Sequence, residues 1–205
     1  NAHLASPPCR AALMLAKALK VPLNLKVINV MLKEQMAPEF TKINPQHTIP
    51  TLVDNDFVIW ESRAILSYLV EKYARGDSLY PKDPKKRAVV NQRLYFDMGT
   101  FYLRFSDFYF PQWFAKAPAD PEKLKKAEEA AEFLDGFLSN STYAAGDKIT
   151  IADYALFVSF STFAFAGHDF SQYENITRWY DLCKETLTGV ELNEEGLESM
   201  KGLLG

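Results

Sequence analysis

Short extended runs alternate with helical runs over the first 80 residues. Between residues 23 and 27, leucine and valine alternate with polar neighbours, and this period of two residues predicts a strand. Two β-rich runs, 48–53 and 57–60, flank an Asp-Asn-Asp turn sequence. That spacing and turn chemistry predict a β-hairpin.

Two helices are predicted in the same region. Residues 10–20 are rich in Ala, Leu and Met, which favour helix formation. From residue 62 to residue 73, apolar side chains recur at helical spacing. With a further short strand before residue 6, the order is strand, helix, strand, loop, hairpin, helix. This order indicates an α/β unit with an antiparallel edge.

The composition changes between residues 76 and 86, where prolines and charges interrupt the apolar pattern and indicate a linker. The chain after the linker favours helices, so the predicted fold class is α/β plus all-α. We predict domains at 1–77 and 85–205, with the linker at 78–84. Thr150 begins a capping-box-like sequence. The predicted helices cover about 85–115, 121–139, 151–166 and 173–186.

Eight of the 14 residues from 101 to 114 are aromatic, a density far above the 14% of the whole chain. On a helix these side chains cover more than one face, whereas a core requires only one. Two interpretations stay open: a thick core helix, or a helix whose second face lines a ligand cleft or a subunit interface. Pro111 is predicted to kink or end this helix locally.

The composition is that of a globular protein. Of its 205 residues, 48% are hydrophobic and 24% charged, which argues against disorder. A net charge of −3 argues against nonspecific nucleic-acid binding, which needs a basic surface. The apolar runs are too short to span a bilayer, and we expect no secretory signal. The two cysteines, Cys9 and Cys183, are far apart and indicate a reducing, cytoplasmic compartment.

Ser6 lies between the first strand and the first helix, where α/β proteins often bind ligands. One interpretation is that Ser6 only caps the helix. However, Pro7 and Pro8 have no N–H group to be capped, which leaves the Ser6 hydroxyl partly free for a ligand. Cys9 is either a nucleophile activated by the helix N-terminus or a small buried residue.

Two further turns carry candidate chemistry. The Ile49–Pro50 bond is a candidate cis peptide, and its exposed backbone groups suit antiparallel pairing with a peptide-like ligand. The alternative for His47 is a polar turn residue. Ser62 is predicted to cap a helix whose start also suits an anion, while Glu61 suits a cation. A site for an anion next to a site for a cation suits a zwitterion such as an amino acid.

Other polar residues indicate no cofactor. His, Cys and acidic residues do not have metal-ligand spacing, and no glycine-rich phosphate loop is present. Arg93 and Asp97 are spaced for a salt bridge within one helix. Ser62 and its neighbours Glu61 and Arg63 are also compatible with a capped helix carrying a surface ion pair.

In combination, these motifs are specific. The sequence resembles cytosolic glutathione transferases, most closely the insect delta class, over nearly its whole length. The resemblance implies a thioredoxin-like N-terminal domain followed by an all-helical C-terminal domain. It is carried by residues 6–10, 38–40, 44–53, 60–65, 79–84, 91–97 and 150–153.

The resemblance also implies a glutathione site. Ser6 matches the serine whose hydroxyl donates to the glutathione sulfur, and Pro50 matches the family's cis-proline. The other implied glutathione-binding residues are His47, Thr48 and Ile49 for the glycyl and cysteinyl parts, and Glu61, Ser62 and Arg63 for the γ-glutamyl end.

The implied activity is conjugation of glutathione to hydrophobic electrophiles, as in detoxification, with peroxide reduction or dehydrohalogenation as side activities. Glutathione is then a co-substrate, and no cofactor or metal is expected. The implied hydrophobic co-substrate site is formed by Pro8, Tyr102, Phe105, Phe110 and Phe114.

The resemblance and the aromatic helix together predict a cytoplasmic homodimer, with Phe101 packed against its symmetry mate and no nucleic-acid or membrane partner. Two other functions stay open. The first alternative is a catalytically weak binding or structural module of the same fold. The second is a thiol oxidoreductase that uses Cys9.

Overall fold

The computed structural model describes residues 1–201. Its first part, through residue 73, contains α1 (Pro7–Ala18), a 3₁₀ turn (Glu34–Met36), α2 (Pro38–Thr41), β1 (Thr51–Asp54), β2 (Phe57–Trp60) and α3 (Ser62–Tyr73). Its second part contains α4 (Pro84–Phe96), a π-helical segment (Asp97–Phe101), α5 (Tyr102–Ala115), α6 (Pro121–Leu138), α7 (Ile151–Phe165), α8 (Glu174–Thr186) and α9 (Val190–Glu198).

The predicted hairpin is confirmed. Strands β1 and β2 are antiparallel, with Thr51 opposite Trp60 and Asp54 opposite Phe57. Because Asp54 belongs to the ladder, the turn has one residue fewer than the sequence suggested. Asn55 occupies the left-handed region there with a φ of 56°, which Asn tolerates better than most residues.

The prediction of a strand at 23–27 is wrong, because this segment does not form a β-ladder. Within the described residues, this segment forms only an isolated parallel bridge between Ala2 and Val27. The bridge consists of Ala2 N–H donating to Lys26 O at 2.9 Å and Ile28 N–H donating to Ala2 O at 3.1 Å. Alternating apolar side chains define the two faces of a segment, but a ladder also needs a neighbouring backbone along its whole edge.

The helix predicted over 85–115 is interrupted. Helix α4 leads into the π-helical segment at 97–101, and α5 follows directly. A π turn inserts one extra residue without breaking the rod, so periodicity alone did not reveal it. Pro111 lies inside α5 and does not end it; the helix ends at Ala115, followed by Lys116 in the left-handed region with a φ of 51°.

Helix α7 forms the centre of the core. Every residue from Ile151 to Phe163 is buried, as expected for a helix that is apolar on all sides. The predicted capping box is confirmed: the Thr150 hydroxyl accepts from Ala152 N–H at 3.3 Å, and Asp153 Oδ2 accepts from Thr150 N–H at 2.8 Å. Helices α1, α3, α4 and α9 pack against α7, so it links the site-bearing α1 to the helical part.

The expected subunit contact at Phe101 is wrong. Its side chain is fully buried inside the single chain, with its ring centroid 4.8 Å from that of Phe105 and 6.4 Å from that of Phe96. A side chain already covered by its own core has no surface left for a symmetry mate. Phe101 is therefore a core residue.

The boundaries at 77 and 85 remain a prediction, and the structure has α3 ending at Tyr73 and α4 beginning at Pro84. Asp83 caps α4 by accepting from Lys86 N–H at 2.9 Å. Among residues 1–201, none of the helices combines the length and the apolar character that a membrane crossing requires.

Candidate functional site

Ser6 stands immediately before α1 in an extended conformation and is half-buried. Its carbonyl oxygen accepts from the N–H groups of Cys9 and Arg10, both at 3.1 Å. Its hydroxyl makes no capping hydrogen bond to the helix. The capping interpretation therefore has no support, because the backbone of Ser6 has already paired with the first free donors after the two prolines.

Cys9 is fully buried on the core side of α1. Burial raises the pKa of its thiol, and hydrogen bonding to the Ser6 hydroxyl opposes this rise only in part. A thiol with a raised pKa is a poor nucleophile at neutral pH. Cys9 thus behaves as a small buried residue, which disfavours the oxidoreductase alternative.

The turn before β1 is shaped by a residue that sequence reasoning missed, Asn44. Its buried amide donates to Thr48 O at 3.0 Å and to Thr51 Oγ1 at 2.9 Å, while its Oδ1 accepts from Gln46 N–H at 2.9 Å. An Asn-Pro pair commonly initiates a turn, so the signal was present in the sequence. His47 lies at the tip, exposed, with a φ of 46°.

The Ile49–Pro50 peptide bond is cis, as predicted. Within the described part of the chain, neither the N–H nor the C=O of Ile49 has a hydrogen-bond partner. One residue after Pro50, Thr51 N–H donates to Asn1 O at 3.1 Å, which joins this turn to the segment that leads into Ser6. The free backbone groups of Ile49 are available to pair with an extended ligand.

Glu61 is exposed and has a φ of 68° and a ψ of 106°. Non-glycine residues rarely adopt positive φ, and such strain is commonly found at functional sites. Glu61 is the residue that precedes α3, and its carbonyl oxygen accepts from Ile65 N–H at 2.9 Å. Ser62, predicted as the cap, is instead the first residue of the helix.

Arg63 forms a buried ion pair that helical spacing did not predict. Its Nε donates to Asp97 Oδ2 at 3.0 Å, and its Nη2 contacts the same oxygen. Its Nη1 donates to Ser62 Oγ at 2.8 Å. Arg93, the partner expected for Asp97, instead donates to Ala144 O at 2.9 Å. The expected Arg93–Asp97 bridge is therefore wrong, and Asp97 supports α3 from the π-helical segment.

Tyr102 connects this polar cluster to the aromatic helix. The guanidinium carbon of Arg63 lies 5.7 Å from the centre of the Tyr102 ring. Burial raises the pKa of Tyr102 to about 12, and the charges of Arg63 and Arg10 partly oppose the rise. Tyr102 therefore stands close to the α3 start.

The other proposed wall residues differ in exposure. Phe110 is half-buried and lies edge-on to Tyr102, with ring centroids 6.2 Å apart, and Phe114 is exposed with its centroid 5.5 Å from that of Phe110. Pro8 is half-buried at the start of α1. Phe105 is fully buried against Phe101, Phe163 and Phe170. Phe105 is thus a core residue behind the wall and not part of it.

An open groove of about 1060 Å³ lies between α1, residues 21–28 and β1. Cys9 and Pro50 line it, whereas Ser6, His47 and Glu61 do not, so the groove borders the candidate site without containing those three residues. No group of three or more His, Cys, Asp or Glu residues suited to a metal ion occurs among residues 1–201.

Two family models match the chain. The model of the glutathione S-transferase N-terminal domain matches residues 3–71, and that of the C-terminal domain matches residues 100–185. The chain is also similar to solved structures. A delta-class glutathione transferase from Nilaparvata lugens is 50% identical, with a TM-score of 0.96 and coverage of 98% of this chain and 95% of that chain.

Two more relatives extend the comparison. The Bombyx mori glutathione transferase BmGSTD1 is 43% identical, with a TM-score of 0.96 over 98% of this chain and 95% of that chain. A glutathione transferase homologue from Drosophila mojavensis, solved with bound glutathione, is 35% identical, with a TM-score of 0.93 over 99% and 94% of the two chains.

These matches confirm the resemblance to insect delta-class proteins and the expected fold class, a thioredoxin-like domain followed by a helical one. The chain belongs to the glutathione S-transferase family.

Proposed function

We propose that this protein conjugates glutathione to hydrophobic electrophiles and that the Ser6 hydroxyl stabilises the reacting thiolate. The observation that carries the role of Ser6 is its geometry: the hydroxyl stands at the start of α1 and makes no capping bond. In the reaction, a C–S bond forms as the thiolate attacks, and the leaving group departs with its electron pair. The thiol proton is released when glutathione ionises.

The turn at 47–49 suits the middle of the glutathione backbone. The unpaired N–H and C=O groups of Ile49 support antiparallel pairing with the cysteinyl part of the peptide. His47 and Thr48 lie next to them, and we assign them to the glycyl side. His47 is exposed at the tip, where an imidazole has room to meet a carboxylate.

The start of α3 suits the γ-glutamyl end, which carries both an ammonium and a carboxylate. The first N–H groups of this 12-residue helix have no partner within the helix and favour an anion. The exposed Glu61 carboxylate favours the ammonium. Ser62 adds its hydroxyl, and Arg63 holds that hydroxyl in place at 2.8 Å.

The energy that Ser6 must supply is moderate. A free thiol has a pKa of about 8.5, so less than about a tenth is thiolate at pH 7.4. Lowering the pKa by about two units needs roughly 2.7 kcal/mol of preferential thiolate stabilisation. A hydrogen bond to an anion contributes about 1.5–3 kcal/mol, and the α1 dipole adds to it. Ionisation alone then accelerates the reaction at most about 13-fold at this pH, because the thiolate fraction cannot exceed one.

Any larger acceleration comes from holding the electrophile against the sulfur. Tyr102, Phe110 and Phe114 offer a row of aromatic surface next to the polar cluster, and Pro8 adds apolar surface at the α1 start. This composition favours apolar electrophiles. Peroxide reduction and dehydrohalogenation remain predictions for the same site.

The test is Ser6→Ala, studied by titrating the thiolate absorbance of bound glutathione. We expect the thiol pKa to rise by about one to two units, because the lost hydrogen bond is worth about 1.5–3 kcal/mol. The pH profile of kcat/KM should move upward by the same amount. Glutathione affinity should change little, since the peptide is held by the two turns. Ser139→Ala is the control, because its hydroxyl bonds to Gly136 O at 2.8 Å on distant α6.

The capping interpretation makes a different prediction for the same variant. It requires a loss of about 1 kcal/mol in the free energy of unfolding, with an unchanged thiol pKa. That result would remove Ser6 from the mechanism. A chain that binds glutathione but transfers it to no electrophile would instead support the binding-module alternative.

We further propose that the protein acts as a cytoplasmic homodimer without a cofactor. The support for the dimer is the outward face of α4 and the start of the π-helical segment, where Val89, Tyr95 and Met98 are exposed at spacings of six and three residues. Apolar side chains spaced along one helix face are typical of an interface. The two cysteines, both free and buried, fit a reducing compartment.

A further inference from the structure

Arg10 is fully buried one helical turn after Ser6. Within residues 1–201 its guanidinium donates only to neutral acceptors, which lie in the loop before Ser6, on α7, on α9 and just after α9. Nη1 donates to Leu4 O at 3.1 Å and to Ala5 O at 3.0 Å, and Nε donates to Asn193 Oδ1 of α9 at 2.9 Å. The remaining partners are Thr162 Oγ1 of α7 and Met200 Sδ.

This charge has no counterion in the described part of the chain. None of the carboxylates among residues 1–201 lies within salt-bridge distance of Arg10. Burial lowers the pKa of Arg10 to about 10, so it remains protonated at neutral pH. A buried cation without an anion is rare, because desolvation is costly.

Helix α9 is rich in glutamate, yet it presents no carboxylate to Arg10. This helix carries four glutamates, all exposed, and presents an asparagine, Asn193, to the guanidinium. A carboxylate at that position would pair with Arg10, yet the chain has the neutral amide. The exposed glutamates of α9 are Glu191, Glu194, Glu195 and Glu198.

Helix α9 also packs directly on the loop that carries Ser6. A Cβ atom added to Gly196 would lie 2.5 Å from Leu4 O and would overlap the Arg10 side chain. The absence of a side chain there allows the close approach. The carbonyl groups of Leu4 and Ala5, immediately before Ser6, are therefore held by Arg10 beneath α9.

We propose that Arg10 positions Ser6 and that its positive charge, which has no counterion within residues 1–201, favours the ionised form of the bound thiol. This inference rests on the proposed function. Arg10 acts through the loop carbonyls and through its field, without touching the substrate. A positive charge in a low-dielectric interior acts over longer distances than it would in water.

Burial raises the pKa of Cys9, the thiol next to the Ser6 hydroxyl, and that of Tyr102. The charge of Arg10 opposes the rise at both groups as one of the smaller effects. The other charged groups near Arg10 and Tyr102 are the paired Arg63 and Asp97, and the partly buried N-terminal amine lies near Cys9. A thiolate beside Ser6 lies among the same groups.

The decisive variant is Asn193→Asp, which gives Arg10 a counterion while it keeps an acceptor of the same shape. We expect the thiol pKa of bound glutathione to rise by about one unit, because the new carboxylate cancels much of the field. At a pH below the thiol pKa of both the wild type and the variant, the thiolate fraction should then fall about tenfold. Asn140→Asp is the matched control, since the exposed Asn140 donates to Ser139 Oγ at 3.0 Å just after α6, away from Ser6.

Two variants of Arg10 itself separate its charge from its contacts. Arg10→Lys keeps the charge and should leave the thiol pKa within about half a unit of the wild-type value, although lost contacts to the loop reduce stability. Arg10→Gln removes the charge and should raise the pKa by about one unit. If Arg10→Gln does not fold, Asn193→Asp alone tests whether the charge of Arg10 lowers the thiol pKa, because that variant retains the arginine.

The outcomes distinguish this inference from the proposed function. Suppose that wild-type protein lowers the thiol pKa and Ser6→Ala raises it, while Asn193→Asp has no effect. The role of Arg10 is then wrong, and that of Ser6 stands. If wild-type protein does not lower the thiol pKa, the proposed function itself fails. A purely structural Arg10 predicts weakened folding in both Arg10 variants with the same thiol pKa.

Discussion

Glu61 and Arg63 are two residues apart, but their environments give them different roles. The Glu61 side chain is exposed at a strained backbone position, whereas the Arg63 guanidinium is committed to Asp97 and Ser62. Each nitrogen of the Arg63 guanidinium donates to Asp97 or Ser62, so we predict that Arg63 acts on glutathione through Ser62. Removing Arg63 would also leave the fully buried Asp97 without its charge partner.

We therefore predict separate effects for two substitutions. Glu61→Gln should weaken glutathione binding roughly 10- to 150-fold, because an ionic hydrogen bond worth about 1.5–3 kcal/mol is lost. Its free energy of unfolding should stay within about 0.5 kcal/mol of wild type. Arg63→Ala should destabilise the fold by about 3–5 kcal/mol. Calorimetry measures the glutathione affinity, and urea unfolding measures the free energy of unfolding. If both variants lost affinity equally and kept full stability, the separate roles of Glu61 and Arg63 would be contradicted.

At the scale of elements, sequence patterns identified what depends on neighbours in the chain. The hairpin, the cis Ile49–Pro50 bond and the capping box at Thr150 were predicted, because each is encoded within a few residues. The strand at 23–27 was not realised, since a ladder depends on a distant partner. The Arg63–Asp97 pair joins residues 34 positions apart, and helical spacing favoured the wrong partner for Asp97.

The same division applies to the site. Local motifs singled out Ser6, whose role stays a prediction, and they predicted the cis bond at Ile49–Pro50. Burial decided what motifs could not. Phe101 was expected at a subunit contact and Phe105 in the co-substrate site, yet both are fully covered by the core. Helix α9 was missed because its glutamate-rich sequence lacks a strong apolar stripe, and with it the surroundings of Arg10.

The α7 start offers a prediction at this scale. Asp153 is fully buried and accepts from Ala144 N–H at 2.8 Å, Thr150 N–H at 2.8 Å and Trp179 Nε1 at 3.0 Å. Asp153→Ala should lower the free energy of unfolding by about 3–5 kcal/mol, because it leaves three buried donors unpaired. Urea unfolding measures this loss. Asp181→Ala, which breaks an exposed pair with Lys184, is the control and should cost under about 0.5 kcal/mol.

At the scale of the whole molecule, the outward face of α4 and the start of the π-helical segment are exposed within the single chain. Tyr95 is 65% exposed and Met98 43% exposed, whereas Phe101, three residues after Met98, is buried. We therefore predict that the two-fold contact lies on this face and not at Phe101. An isologous pairing of two such faces would cover the same residues on both subunits.

We predict that sedimentation equilibrium at micromolar concentration gives twice the 23.3 kDa mass of one chain. Tyr95→Glu should shift the protein towards the single-chain mass, because a carboxylate would be buried without a partner in the paired faces. Leu32→Glu is the matched control, since Leu32 is 72% exposed in a loop outside α4 and should leave the assembly intact. A wild-type protein that sediments as a single chain, or a Tyr95→Glu variant that still pairs, would exclude this face as the interface.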